Sequence, residues 1–190
     1  TLDRSSAASD VYKRQMYNFT FNIPTKIHFG KDTISSLSEL KAYGSKVLLV
    51  YGGGSIKKNG LYDTAMKILK DAGLTVFELS GVEPNPKIET VRKGVEICKN
   101  EGIDMVLAIG GGSTIDCSKV VAAGAKYDGD AWDLVLDGSK VKAALPIFDV
   151  LTLSATGTEM DPFAVISDMS KNEKWGTGSP YICLLYTSPS

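Results

Sequence analysis

KVLLVYGGGS (46–55) is a continuous apolar run that stops on three glycines and a serine, and MVLAIGGGS (105–113) repeats the arrangement. Each run has the length of a strand. The absence of polar alternation means that both faces are covered, as in a parallel sheet flanked by helices. A strand that ends in glycines leaves backbone N–H groups bare, and the helix behind it turns a positive dipole end towards whatever docks there. Phosphate is the guest that such turns suit. Two of them in one chain imply a dinucleotide gripped at two places.

Working outward, strands and helices alternate. Tyr17–Phe21 and Lys26–Phe29 alternate around Pro24 and read as an antiparallel pair; Thr33–Leu40 reads as a short helix. Asn59 through Ala72 is helical, with Leu61, Ala65, Ile68, Leu69 and Ala72 on one stripe and Gly73 as its stop. Thr75–Leu79 is the next strand. The rigid Pro84-Asn85-Pro86 loop leads into a helix over Lys87–Glu101, which Gly102 ends. Thr114–Ala125 is the helix behind the second turn. Leu145–Ile147 and Val150–Leu153 flank Phe148-Asp149, and Ala164–Ser167 opens a β-hairpin running towards Trp175. This order predicts an α/β fold: a Rossmann-like, doubly wound, mostly parallel sheet with right-handed crossovers and a small β-hairpin appendage. Ligands of such sheets bind outside the carboxyl ends of the strands, where both glycine turns fall.

The ends behave differently. Residues 1–15 show no sustained period; their serines with Arg4, Lys13 and Arg14 suit a transit peptide, against which Asp3 and Asp10 count. DVYKRQ (10–15) and CLLYTSPS (183–190) resemble translated sequencing-adapter tails. The expected organisation is therefore a tail over 1–15, a nucleotide-binding domain over 16–180 that starts at Met16 and continues natively beyond, and a second tail over 181–190.

Composition narrows the function classes. A length of 190 residues with 43% hydrophobic and 23% charged residues suits one soluble domain. The net charge of -1, with no basic block, argues against nucleic acid or an anionic membrane surface as partner. No apolar stretch approaches the ~20 residues of a membrane span. Cys98, Cys117 and Cys183 have no metal-ligand spacing and fit thiols of a reducing compartment, which makes the cytoplasm the expected location. The single histidine, His28, sits in an alternating segment, where a half-exposed strand residue is the ordinary reading. One imidazole builds neither a zinc or iron site nor a catalytic triad.

In the second turn, Gly111 and Gly112 let a backbone approach a pyrophosphate without Cβ clashes. Ser113 and Asp116 also have the spacing of a helix-capping pair, the plainer explanation of those two residues. Capping does not require three consecutive glycines. The first turn, Gly52, Gly53, Gly54 and Ser55, is followed by Lys57 and Lys58 and has no carboxylate before Asp63. An acid near this point binds the adenosine ribose and repels a 2′-phosphate. Its absence beside two lysines favours NADP(H) over NAD(H), unless the lysines only solvate the helix start. A third segment, LTLSATGTEM (151–160), offers hydroxyls and amides at a strand end, a weak signal alone because Ser and Thr at bends usually satisfy local backbone.

Together these segments resemble the N-terminal half of an iron-containing (group III) alcohol dehydrogenase, in particular its butanol dehydrogenase branch. The resemblance runs through NIPTKIHFGKD (22–32), YGGGSIKKNGLYD (51–63), GVEPNP (81–86), AIGGGSTIDCSK (108–119), GDAWDL (129–134) and LTLSATGTEMD (151–161). It implies a dehydroquinate synthase-like N-terminal domain, with Gly52, Gly53 and Ser55 at the adenosine end of the cofactor. Gly111, Gly112, Ser113 and Asp116 would meet the pyrophosphate and nicotinamide ribose, and Thr152, Thr156, Gly157 and Lys174 would complete the nicotinamide side. GVEPNP would shape a loop rather than do chemistry.

The resemblance also implies small alcohol or aldehyde substrates, a homodimer when full length, and a divalent metal (iron or zinc) held by an aspartate and three histidines of a helical C-terminal domain. That domain is missing from these 190 residues, so no catalytic or metal-binding residue is assigned here and the fragment is expected to turn nothing over. Its face towards that domain would be exposed, apolar and prone to aggregate. Glycerol or polyol dehydrogenases of the same superfamily, a sugar-phosphate cyclase, and a non-catalytic nucleotide-binding module are the alternatives.

Overall fold

The structure, a computed structural model, describes residues 23–188. The strands are β1 (Lys26–Ile27), β2 (Lys46–Tyr51), β3 (Thr75–Leu79), β4 (Met105–Gly110), β5 (Ile147–Leu151), β6 (Phe163–Asp168), β7 (Glu173–Gly178) and β8 (Tyr186–Thr187). The α-helices are α1 (Ser55–Lys58), α2 (Leu61–Asp71), α3 (Ile88–Glu101), α4 (Gly112–Gly124) and α5 (Ala131–Leu136). Six strands form one parallel sheet in the order β1-β8-β5-β4-β2-β3, and β6 pairs with β7 in a separate antiparallel hairpin. The doubly wound sheet and its appended hairpin are as the sequence implies.

The continuous apolar runs are buried because helices cover both faces. Leu48, Val50, Val106, Ala108 and Ile147 pack towards α3, α4 and α5, whereas Val47, Leu49, Met105, Leu107, Ile109 and Phe148 pack towards α2 and the Thr33–Tyr43 segment. Helix α4 is covered almost all round, since the β6–β7 hairpin, α3 and α5 close over its far side. Close approach of α3 to α4 depends on Gly94: a Cβ there would lie 2.6 Å from Val121 Cγ2 and 2.8 Å from Leu79 Cδ2. Gly94→Ala is therefore expected to destabilise by about 1–3 kcal/mol despite alanine's better helix propensity. The check is a lower urea midpoint at unchanged slope.

Several local expectations are corrected. Thr33–Leu40 is not an α-helix but the start of a 3-10 helix over Thr33–Tyr43, entered from Asp32 at φ 60. The hydroxyls of Ser35, Ser36 and Ser38 donate to carbonyls three residues back, which suits the tighter winding. The stretch Asn59–Ala72 is preceded by a separate short helix, α1, and α2 starts only after Gly60, at φ 79, turns the chain. Phe148-Asp149 does not interrupt a strand: β5 runs straight through it, with Asp149 fully buried.

The strand over Lys26–Phe29 shortens to β1, which pairs in parallel with β8; Tyr17–Phe21, its expected antiparallel partner, lies outside the described residues. Residues 181–188, set aside as tail, have places in the fold: Leu184 is buried and β8 sits between β5 and β1. His28 follows β1 with its ring edge-on to Tyr186; its Nε2 makes no hydrogen bond among the described residues and lies 3.9 Å from Glu39 Oε2.

Candidate functional site

Strand order decides where the two glycine turns meet. From β2 the chain moves outward to β3, then crosses back to β4 on the opposite side of β2. Strands β2 and β4 are neighbours in parallel register, Tyr51 opposite Ile109, so both turns leave the same sheet edge at the topological switch point.

At the first turn a cavity of about 270 Å³ is lined by Tyr51, Gly52, Gly53, Gly54, Lys57, Ser80 and Gly81. Gly54 needs glycine for its own backbone, at φ 104. Gly53 does not. Its φ lies outside the left-handed region, and a Cβ would meet nothing within 4 Å. Helix α1 has four residues, so the bare backbone rather than a helix dipole marks this turn.

At the second turn a cavity of about 430 Å³ is lined by Asn85, Pro86, Gly112, Ser113, Asp116, Leu153, Ala155, Thr156, Val165 and Lys174. Gly111 is extended (φ -96, ψ -167), and a Cβ on it would meet only Leu153 Cβ, at 3.6 Å. Helix α4, 13 residues long, begins at Gly112, so helix geometry leaves the Gly112 and Ser113 amides without intrahelical acceptors. The capping reading of Ser113 and Asp116 does not hold, because the N-cap is Gly111 and no side chain caps it. The Asp116 carboxylate instead accepts from Thr158 Oγ1 (2.7 Å) and from the Val165 amide (3.0 Å). Burial outweighs these bonds and raises its pKa.

Gly112, Ser113, Asp116, Thr156 and Lys174 thus converge on one cavity, and Gly52, Gly53, Gly54 and Lys57 on the other. Ser55, Gly111, Thr152 and Gly157 line neither. Ser55 opens α1, Thr152 donates its amide to Gly110 O at 2.9 Å, and Gly157, at φ 80, turns the chain above α4.

Three features escaped the sequence reading. Lys174 Nζ donates to Asn85 Oδ1 (2.7 Å), and the Asn85 backbone N–H donates to Ser113 Oγ (3.3 Å). The GVEPNP loop therefore reaches the site through Asn85, which takes a left-handed φ of 55; an asparagine held between two prolines was the signal available in the sequence. Glu78, on β3, supplies a carboxylate near the first turn. It accepts from Tyr51 (2.6 Å) and Tyr62 (2.8 Å), and Lys57 lies over both rings, 5.1 and 4.5 Å from their centroids. Burial opposes the Glu78 charge, but the two phenols and Lys57 prevail and hold its pKa below the usual range. Finally, Lys119 is fully buried, and its ammonium donates into the turn that follows Gly157.

A further cavity, of about 650 Å³, lies away from both turns, among Pro24, Met160, Pro162, Phe163 and Cys183, and its walls are mostly apolar. Among the described residues no group of three or more His, Cys, Asp or Glu side chains could hold a metal ion. A dinucleotide, by contrast, fits the turns, since bare amides and an open space that a Cβ would fill are what a pyrophosphate needs.

A family model, iron-containing alcohol dehydrogenase, matches residues 24–185. The chain belongs to the iron-containing alcohol dehydrogenase family. It is 62% identical over 164 residues to NADH-dependent butanol dehydrogenase A of Clostridium acetobutylicum, which covers 86% of this chain and 42% of that protein. It is 41% identical over 170 residues to the NADPH-dependent aldehyde reductase YqhD of Escherichia coli, covering 88% and 43% respectively. The crystal structure of NADH-dependent butanol dehydrogenase A from Thermotoga maritima superposes with a TM-score of 0.89 at 48% identity, over 92% of this chain and 44% of that one. The family's N-terminal α/β fold is therefore shared, and the chain spans less than half the length of these relatives. No helix among the described residues is long and apolar enough to cross a membrane.

Proposed function

We propose that this chain is the dinucleotide-binding part of a nicotinamide-dependent alcohol dehydrogenase or aldehyde reductase acting on small primary alcohols and aldehydes. The observation that carries the reading is the pair of glycines, Gly53 and Gly111, whose own backbones do not require glycine: a Cβ on Gly53 would meet nothing within 4 Å and one on Gly111 only Leu153 Cβ, at ordinary contact distance. The bound nicotinamide would supply the hydride acceptor or donor. The chain's own part is to hold and orient it. Backbone amides of the two turns take the diphosphate, Ser113 and Asp116 face the nicotinamide ribose, and Thr156, Gly157, Thr152 and Lys174 belong to its far side.

In this proposal the full-length protein is a cytoplasmic, metal-dependent homodimer whose metal ligands lie outside these residues. The 190-residue chain then binds cofactor but does not turn over alcohol. An assay of that chain with NADH and butanal is expected to show binding without oxidation of NADH.

Several observations bear on the choice of cofactor. Lys58 is exposed, and the first turn itself carries no acid, which favours NADP(H). Against this, the Lys57 charge is already engaged by Tyr51, which raises its pKa, by Tyr62 and by Glu78 behind them. Four relatives at 56–62% identity are named NADH-dependent, whereas YqhD, named NADPH-dependent, is 41% identical. We infer that NAD(H) is bound at least as tightly as NADP(H). Titration of the chain with NADH and NADPH checks this. A preference for NADPH of about tenfold or more, about 1.4 kcal/mol, that is lost in Lys58→Ala would restore the lysine reading.

A further inference from the structure

We infer that Lys119 is a positioning residue for the nicotinamide half of the dinucleotide, acting through the turn that carries Thr156. This rests on the cofactor reading above and goes beyond it, because Lys119 touches neither cavity. Its Nζ is surrounded by five oxygens: Thr158 O (2.6 Å), Thr158 Oγ1 (2.9 Å), Asp161 O (2.8 Å), Asp161 Oδ1 (3.0 Å) and Phe163 O (2.6 Å). An ammonium has three protons, so the five acceptors share them. All five belong to one turn, residues 158–163, which is 39 to 44 positions away in sequence.

That turn ends the segment whose other end is pinned to the sheet. Thr152 N donates to Gly110 O, which fixes the exit from β5, and the chain then runs exposed through Leu153 and Thr156 to Gly157. Thr156 Oγ1 comes to rest over Gly112, 3.3 Å from where a Cβ would stand. Between the two anchors, residues 153–157 are short enough that the far anchor sets their height above the amides of α4. Lys119 supplies that anchor. Thr158 Oγ1 passes it on, accepting from Lys119 and donating to Asp116 Oδ1, a wall of the nicotinamide-side cavity.

Burying an ammonium in place of a methionine-like side chain is costly unless it is fully hydrogen-bonded. Here the expenditure orders one turn beside the site. The sequence placed Lys119 only at the end of a motif, with nothing to show which residues it would reach.

The experiment uses the 190-residue chain with two probes, NADH and 5′-AMP, because in the proposed orientation AMP engages only the first turn. Lys119→Met and Thr158→Val are expected to weaken NADH binding about tenfold, the loss of one good hydrogen-bonded contact, while AMP affinity stays within about twofold. Thr158→Ser, which keeps the hydroxyl, is expected to retain NADH affinity. A general loosening of the fold would move both probes together and would not distinguish valine from serine. If Lys119→Met does not fold, the Thr158 pair still decides. NADH affinity unchanged in Thr158→Val, or NADH and AMP weakened in parallel, overturns the role of Lys119 and leaves the cofactor reading intact. Failure of the unmodified chain to bind NADH overturns both.

Discussion

Gly111→Val is expected to leave the fold standing and to remove dinucleotide binding. The extended backbone at Gly111 is one that valine adopts readily, and its Cβ would meet only Leu153 Cβ at ordinary contact distance. Stability should therefore change by no more than about 1 kcal/mol. The same side chain would add bulk beside Leu153, a wall of the cavity that Gly112 and Ser113 also line and that the proposed pyrophosphate must enter. Losing two hydrogen bonds to a charged group, each worth about 1.5–3 kcal/mol, corresponds to a loss in NADH affinity of roughly a hundredfold or more. Fluorescence titration with NADH beside a thermal melt separates the two effects. Unchanged affinity in a folded variant would show that the second turn does not hold the cofactor.

Asp149→Asn should have the largest effect on stability, and an effect that depends on pH. Asp149 is fully buried in β5, and neither carboxylate oxygen makes a hydrogen bond of good geometry among the described residues. Thr187 lies opposite it in register, and its nearby hydroxyl favours the charged form too weakly to offset burial. Burial pushes the Asp149 carboxyl up to about 7, so the folded chain holds a proton that the unfolded chain releases near pH 4. Because the folded state binds more protons, stability falls as pH rises from about 4 to about 7, and stays low above that range. A rise of about three units corresponds to about 4 kcal/mol, an order-of-magnitude figure. Asparagine cannot ionise. At pH 8 the variant should melt roughly 10 °C above the parent, at about 2–4 °C per kcal/mol for a chain of this size, with the gap closing towards pH 4. A gap that does not vary with pH would place the proton elsewhere.

The sequence was most informative where structure is local. The runs before Gly52 and Gly110 identify themselves as buried parallel strands by composition alone, and the glycines mark their ends. Asp149 misled for the opposite reason. A lone acid in an apolar run reads as a break, because a single residue gives no sign that a strand will bury it without a partner. Gly60 was passed over since the stripe from Leu61 to Ala72 is regular and hides a separate short helix before it. That the two turns serve one ligand was an expectation from their repetition, but the strand order that makes them neighbours was not legible, as it depends on β4 crossing to the far side of β2. Asn85, Glu78 and Lys119 share that limit: Lys174 reaches Asn85 across 89 positions of sequence, and Tyr51 reaches Glu78 across 27. The resemblance to a family named most of the site residues, but not the contacts that hold them.

The most direct test is a titration of the isotopically labelled chain with NADH, followed through its backbone amide resonances. The amides of Gly53, Gly54, Gly111, Gly112 and Ser113 should move furthest and saturate together. Shifts confined to the apolar cavity around Pro24, Met160 and Phe163, with those five amides unmoved, would contradict a dinucleotide held at the two glycine turns.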